Sequence, residues 1–298
     1  MNKLVRFYNQ NRFVIWICLV LVAIVIFVIQ ALNKFAYKQN IETDLNEVST
    51  NKPVLNNNYS VVNGQEVMPE VKDVIDEFIN LCSNKQISLA YELLSKKCKE
   101  ELYPTLEDFS KKYYNKIFSS KKTYICQAWL TGNSKYTYKI DFVDDMLATG
   151  SPSKTSIVDY YTVVKEENED KININKFIDS ENLNLAITKD NITIKILSKK
   201  IYMDYETYEI EVENRTQKTI LLDNLKYTDK IYVLDNNEKK YFWNNYEYLE
   251  TELTVRSGLK QKIEIKFNKQ YSPNNKTKNM VFENIIQGDK LLNINIDI

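Results

Sequence analysis

The chain has 298 residues, a length typical of about two domains. Its 40 Lys and Arg residues are balanced by 40 Asp and Glu residues, so no nucleic-acid-binding surface is predicted. It contains no histidine, which excludes the catalytic triads that use imidazole as the base and the paired-histidine zinc motif of metalloproteases. The five glycines are too far apart to form a phosphate-binding loop, so no nucleotide cofactor is predicted.

Residues 13–33 are predicted to form a transmembrane helix. They begin with the uncharged run FVIWICLVLVAIVIFVIQAL, from Phe13 to Leu32. A helix of about 20 residues spans about 30 Å, the thickness of the hydrocarbon core of a bilayer. A cleaved signal peptide is the alternative, but its apolar region usually has only about 7–15 residues. The run therefore favours an uncleaved anchor that contacts the lipid bilayer.

The charges on either side of this run predict the orientation of the chain. Lys3, Arg6 and Arg12 precede it, whereas the two lysines that follow are soon joined by acidic residues. Because the side richer in Lys and Arg stays in the cytoplasm, residues 1–12 are predicted to be cytoplasmic. The rest of the chain is then extracytoplasmic, and the protein is a single-pass protein of the cell membrane.

Residues 34–69 are predicted to form a disordered tether. They contain Pro53, Gly64 and Pro69, and their few apolar residues recur at no fixed period. A segment of this kind cannot bury enough apolar surface to offset the entropy that folding costs.

Helical periodicity begins at residue 70. Apolar residues recur on one side of three successive segments: Val71, Val74, Ile75, Phe78 and Cys82; Leu89, Ala90, Leu93, Leu94 and Cys98; Leu106, Phe109, Tyr113 and Ile117. Thr105 precedes the third segment, and Asp108 follows three residues later, which is typical of a helix N-cap. These stripes are predicted to be the core faces of three helices.

After Lys122 the period changes to two. Apolar and polar residues alternate along 124–130 and 136–142, and further strands are predicted at 155–165 and 171–178. Three helices followed by strands in hairpins predict an α+β domain, with the helices on one face of a curved antiparallel sheet.

This part of the chain resembles a known family. The stretch FINLCSNKQISLAYELLSKKCKEELYPTLEDFSKKY, and the strands ending in VVKEENEDKININKFI, are similar to the nuclear transport factor 2-like domains of bacterial membrane-anchored envelope proteins. The resemblance implies a cone-shaped α+β domain at 70–180. Because that fold hosts isomerases, dehydratases and non-enzymatic scaffolds, it does not imply one function.

Residues 184–298 are predicted to form an all-β immunoglobulin-like sandwich. Ten short strands are expected there, at 184–188, 192–197, 206–213, 219–225, 230–234, 239–243, 252–255, 261–267, 279–284 and 291–297. Polar turns separate them, which favours a β-sandwich. The stretches YEIEVENRTQKTILL and SGLKQKIEIKF resemble immunoglobulin-like domains of bacterial surface proteins. No pair of cysteines marks the disulfide of an immunoglobulin here.

Three cysteines lie between the tether and the predicted sandwich: Cys82, Cys98 and Cys126. No two are spaced as in a zinc or thioredoxin-like motif. Cys82 and Cys98 lie on neighbouring predicted helices and could form a disulfide. The alternative is that all three are small buried hydrophobic residues. No metal site is predicted.

Asp159 and Tyr161 are the candidate pocket residues of the first domain. Asp159 has the same strand parity as Ile157, Tyr161 and Val163, so its side chain can face the interior. Enzymes with the cone fold often use an Asp as the base and a Tyr as the oxyanion donor. The alternative is a position at the surface or at an edge, and no catalytic residue is predicted.

Tyr241, Trp243 and Tyr246 are the candidate contact residues of the second domain. Together with Phe242 and Tyr248 they form a denser aromatic group than a strand edge needs. Exposed aromatic residues in one place favour partner or glycan binding. The alternative is that alternate members fill the core of the sandwich.

The sequence therefore predicts a non-enzymatic, membrane-anchored binding or scaffold protein of the bacterial cell envelope, with an envelope protein as its partner and no cofactor. One alternative is a bitopic scaffold subunit of a conjugation or type IV secretion machine. The other is a small-molecule enzyme or ligand binder that uses the cone pocket. The oligomeric state is not predicted.

Overall fold

The computed structural model describes residues 60–62, 65–67, 69–120, 122–132, 134–144, 156–226 and 229–298. The predicted cytoplasmic segment 1–12 and transmembrane helix 13–33 lie outside these residues. Within the described ranges, no helix has both the length and the apolar character needed to cross a membrane.

Within the described residues, the α-helices lie between 69 and 117. They are α1 (Pro69–Ser83), α2 (Ile87–Glu92), α3 (Lys96–Leu102) and α4, which begins as Leu106–Phe109, continues as a π-helical turn at Ser110–Tyr114 and ends as Asn115–Ile117. Side-chain caps start α3 and α4, because Ser95 accepts a hydrogen bond from the Cys98 N–H and Thr105 accepts one from the Asp108 N–H. The predicted N-cap at Thr105 is confirmed.

Most of the described chain is β-strand. The strands are β1 (Ser60–Val62), β2 (Gln65–Val67), β3 (Lys122–Gly132), β4 (Lys135–Asp144), β5 (Ile157–Glu166), β6 (Glu169–Asn173), β7 (Phe177–Lys189), β8 (Ile192–Tyr202), β9 (Glu206–Asn214), β10 (Ile220–Leu221), β11 (Ile231–Asp235), β12 (Lys240–Phe242), β13 (Thr254–Val255), β14 (Lys260–Phe267), β15 (Thr277–Gln287) and β16 (Lys290–Asp297). Short 3-10 helices at Asn245–Glu247 and Glu250–Leu253 connect β12 to β13.

The strands form antiparallel sheets. Strands β1 and β2 make a hairpin, β3-β4-β5-β6 make a second sheet, and β14-β9-β8-β7 make a third. The fourth sheet has the order β12-β11-β15-β10-β13, with β16 paired to the other side of β15. Alternation of apolar and polar residues sets the buried face of each strand, as in β8, where Ile192, Ile194 and Ile196 point inward.

Two large cores and a smaller one fill the molecule. The first lies between the helices and the β3–β6 sheet, and includes Phe78, Phe109 and Phe142. The second lies between the two sheets formed from β7 onward. The third joins these two regions around Leu130 and Met203.

The predicted fold class, which combined a transmembrane helix, an α+β cone and an immunoglobulin-like sandwich, is wrong. The described residues are mostly β-sheet with four short helices, and none of these helices can span a membrane. The apolar stripes overestimated the helical content, because α2 and α3 have only six and seven residues. The break between them arises where Leu94 forms a parallel bridge to Ile172 of β6.

The detailed strand predictions from residue 184 onward agree better with the structure. Strands β8, β9, β14 and β16 lie within a few residues of their predicted bounds. The predicted boundary between 180 and 184 falls inside β7, and the single strand predicted at 171–178 is split between β6 and β7. Within the predicted tether, β1 and β2 form a hairpin.

Two apolar residues expected in the core are exposed. Leu89 and Leu106 both face solvent, since Leu89 lies in α2, which has only six residues, and Leu106 is the first residue of α4. Cys82, Cys98 and Cys126 are buried and free, so the structure contains no disulfide between Cys82 and Cys98.

Candidate functional site

Asp159 lies in the interior, beneath helix α4. Its side chain is 4% exposed, and Tyr161, two residues further along β5, is fully buried on the same face of the sheet. Tyr113 of the π-helical turn joins the two residues, because its hydroxyl lies 2.7 Å from Asp159 Oδ2 and 2.7 Å from the Tyr161 hydroxyl. The structure thus brings together the two pocket residues predicted from the sequence, through a third that was expected only as core.

The Asp159 carboxylate accepts four hydrogen bonds. Tyr113 Oη and the Asn175 N–H donate to Oδ2, and the Tyr160 and Lys176 N–H groups donate to Oδ1. An ionised carboxylate has about four lone-pair positions, so these donors satisfy it. The carboxylate therefore has no free acceptor position with which to take a proton from a substrate.

The surroundings of Asp159 are aromatic and closely packed. Tyr161 makes edge contact with Phe78, and Phe109 stacks on Tyr113. Burial raises the pKa of Asp159 above its ordinary value. The hydrogen bonds from Tyr113 and the backbone act in the opposite direction, but burial has the larger effect. Burial also raises the pKa of Tyr113 and Tyr161, so both hydroxyls stay protonated.

Asp159 also fixes the turn between β6 and β7. Asn175 and Lys176 both have positive φ angles, of 57° and 62°, which are unfavourable for residues other than glycine. The two hydrogen bonds from these residues to Asp159 hold the turn in this conformation. Ile174 and Phe177, on the two sides of this turn, are both buried in the first core, so Asp159 has a clear structural role there.

Tyr241 belongs to a polar network that includes residues predicted only as strand or loop. Its hydroxyl donates to Asp235 Oδ2 at 2.9 Å and accepts from Asn275 Nδ2 at 3.0 Å. Asp235 is fully buried and also accepts the Asn237 and Lys239 N–H groups. Tyr241 thus supports a turn instead of facing a partner.

A cluster of buried charges lies close to this network. Lys269 Nζ is 2.9 Å from Glu206 Oε1, and Lys199 Nζ is 3.4 Å from the same oxygen. Tyr208 and Thr277 donate to the other carboxylate oxygen. Burial alone would raise the pKa of Glu206, but the two lysines outweigh it and lower that pKa. The cluster ties the 268–276 loop to the start of β9.

Trp243 and Tyr246 lie on one segment but have opposite environments. Trp243 is 3% exposed and packs against Tyr248, with ring centroids 5.0 Å apart. Tyr246 is 88% exposed, in the first 3-10 helix. Leu249, at 66% exposed, and Phe242 lie on the same segment. We call Phe242, Tyr246 and Leu249 the exposed apolar cluster.

A surface cleft of about 610 Å³ opens beside α2, α3 and β6. Tyr91 and Pro104 contribute apolar surface, and Lys99 and Lys171 contribute ammonium groups. No sequence pattern marks this cleft, because its residues come from helix ends and a sheet edge that are distant in the chain. Across the described ranges, no group of three or more His, Cys, Asp or Glu residues is placed to hold a metal ion.

Comparisons of the chain with protein-family models, with curated proteins and with solved structures give no match in any of the three.

Proposed function

We propose that the protein is a non-enzymatic binding or scaffold protein, held at the cell membrane by the apolar run at 13–32, with its folded part extracytoplasmic. The exposed apolar cluster is the surface with which it contacts an envelope protein. The observation that carries this proposal is the exposure of Phe242, Tyr246 and Leu249 on one short segment that the buried Trp243 and Asn245 anchor.

The segment is held in place from both ends. Trp243 and Leu253 are buried in the second core on either side of Tyr246 and Leu249. The Tyr248 hydroxyl donates to the Glu264 carbonyl at 2.7 Å, and the Asn244 N–H donates to the Lys266 carbonyl at 2.8 Å. A partner that binds here does not need to order the segment, which lowers the entropic cost of association.

The chemistry of the exposed side chains also favours a protein partner. Aromatic residues are enriched at the centres of protein interfaces, where they bury a large area at a low cost in side-chain entropy. The saturated carboxylate of Asp159 supports the same proposal indirectly, because a catalytic base needs a free acceptor position.

The proposal is tested by crosslinking in intact cells, followed by purification of the full-length protein. A Tyr246→Ala/Leu249→Ala double variant is compared with the wild type and with Leu291→Ala. Leu291 is 63% exposed on β16, so it controls for the loss of an exposed leucine elsewhere. We expect partners that the wild type and Leu291→Ala retain and that the double variant loses.

Affinity measured with a purified partner then gives the strength of the contact. Loss of two central apolar side chains should weaken binding by about tenfold or more. Recovery of the same partners, with the same affinity, by all three proteins would contradict the proposed contact surface. The location is tested separately, by adding protease outside intact cells stripped of their wall: cleavage of the folded part is expected, and full protection would contradict it.

A further inference from the structure

The cleft beside α2 and α3 holds two lysines that converge on one residue. Lys99 Nζ lies 2.9 Å from Glu92 Oε2, and Lys171 Nζ donates to the Glu92 backbone carbonyl at 3.4 Å. The lysine side chains are only 24% and 23% exposed, so their stems are fixed by packing. Lys171 Nζ also lies 2.8 Å from Glu169 Oε2, so each of the two ammonium groups on the wall of the cleft has its own carboxylate partner.

The carboxylates of the cleft differ in how firmly they are held. Glu166 accepts the Lys96 backbone N–H through both oxygens, at 3.0 and 3.2 Å. Glu92 is 70% exposed, and its contact with Lys99 is an ion pair open to solvent. Such pairs contribute little, about 0–1 kcal/mol at most sites. The Glu92 carboxylate can therefore leave Lys99 at small cost, and the 71% exposed Glu169 can leave Lys171 in the same way.

Apolar surface lies next to these charges. Tyr91 is fixed, because its hydroxyl donates to the Tyr103 carbonyl at 2.8 Å and its ring packs on Phe109. Pro104 extends this surface within the cleft. The volume of about 610 Å³ lies within the range of small-molecule sites, about 300–1,000 Å³.

We propose that this cleft binds a small organic anion, a carboxylate or a phosphate with an apolar portion, and that Glu92 is a built-in competitor that the ligand displaces. The anionic group takes the place of the Glu92 carboxylate at Lys99 and of the Glu169 carboxylate at Lys171. The apolar portion lies against Tyr91 and Pro104. This site is separate from the exposed apolar cluster and does not depend on the function proposed for it.

The first experiment is calorimetric titration of the full chain in detergent micelles with two probes that differ only in charge. N-acetyl-leucine has a carboxylate beside an apolar side chain, and N-acetyl-leucinamide is its neutral counterpart. We expect the acid to bind at least about tenfold more tightly than the amide, since charge-assisted hydrogen bonds are lost with the amide. Inorganic phosphate should compete with the acid. Equal affinity for acid and amide, or no binding of either probe, would overturn the proposal.

Three variants then locate the site. Lys99→Met should weaken binding of N-acetyl-leucine by about tenfold, and Lys171→Met gives an independent second test. Glu92→Gln removes the competing charge, so it should tighten binding severalfold. Thermal unfolding of each variant establishes that it is folded.

Glu100→Gln is the matched control, because Glu100 also lines the cleft and is 60% exposed. Its ion pair is with Lys96, at 3.9 Å, and involves neither Lys99 nor Lys171. Its loss should change affinity by no more than about twofold, the effect of a screened surface charge. If Glu92→Gln and Glu100→Gln tighten binding equally, the increase in affinity comes from net charge alone, and the proposed displacement of Glu92 is overturned.

Discussion

Replacing Asp159 by alanine tests whether this residue holds the turn between β6 and β7. In the variant, Tyr113 keeps its contact with Tyr161, and the Lys176 N–H keeps a longer bond of 3.3 Å to the Tyr160 carbonyl. The Asn175 and Tyr160 N–H groups lose the acceptor they have in Asp159. Because each unsatisfied donor costs about 1–3 kcal/mol, we expect the free energy of unfolding to fall by about 3 kcal/mol.

Urea unfolding of the full chain in detergent micelles, followed by far-ultraviolet circular dichroism at pH 7, measures this loss. Asp141→Ala is the matched control, since Asp141 lies on the adjacent strand β4, with one ion pair to Lys139 at 3.2 Å. That variant should lose no more than about 1 kcal/mol. If the two variants are equally stable, Asp159 does not hold the turn.

The loss caused by Asp159→Ala should also depend on pH. Burial raises the pKa of Asp159 in the folded protein above the ordinary value of 3.8, so the folded protein binds this proton more readily than the unfolded chain does. The contribution of Asp159 is then largest below pH 3.8 and declines as the pH rises through the folded-state pKa. The difference between wild type and variant should be larger at pH 4 than at pH 7, and a smaller difference at pH 4 would refute the reasoning.

Two further substitutions test contacts elsewhere in the molecule. Gly132→Ala places a Cβ 2.4 Å from Pro273 Cβ and should lower the free energy of unfolding by about 2 kcal/mol. In Gly258→Ala the new Cβ meets no atom within 4 Å, so only the positive φ of that residue should cost stability, about 1 kcal/mol. Equal losses for the two variants in urea unfolding would argue against a close approach at Gly132. Glu206→Gln leaves two buried lysines without their anion and should lower the free energy of unfolding by about 3 kcal/mol. Glu238→Gln, which breaks a surface ion pair, is the control and should leave the melting temperature unchanged. Similar melting temperatures for these two variants would show that the buried cluster does not stabilise the fold.

Local periodicity was sufficient to predict many elements but not their arrangement. The first half of β8, from Ile192 to Ile196, alternates so regularly that its buried face follows from the sequence, but the irregularity between Ile196 and Ser198 hides the continuation to Tyr202. The short helices were harder, because a stripe such as Leu89 to Cys98 does not reveal that the chain bridges to β6 at Leu94. That bridge is a long-range contact, and it decides where α2 ends and α3 begins.

The candidate sites show the same limit. Strand parity allowed an inward Asp159, but Tyr113, its hydroxyl partner, lies 46 residues earlier in the chain. Glu206 and Lys269 are 63 residues apart, and no local pattern links them. The partition of the aromatic group into buried Trp243 and exposed Tyr246 depends on a 3-10 helix that interrupts the strand period.

The continuity of β7 determines how the protein can be dissected. Phe177 at its start is buried in the first core, while Leu185 and Ile187 near its end pack against the second. A cut at residue 183 would split this strand and separate two halves that share one run of backbone pairing with β8. The described region from residue 69 onward should therefore be expressed whole, and limited proteolysis should release neither core as a stable fragment.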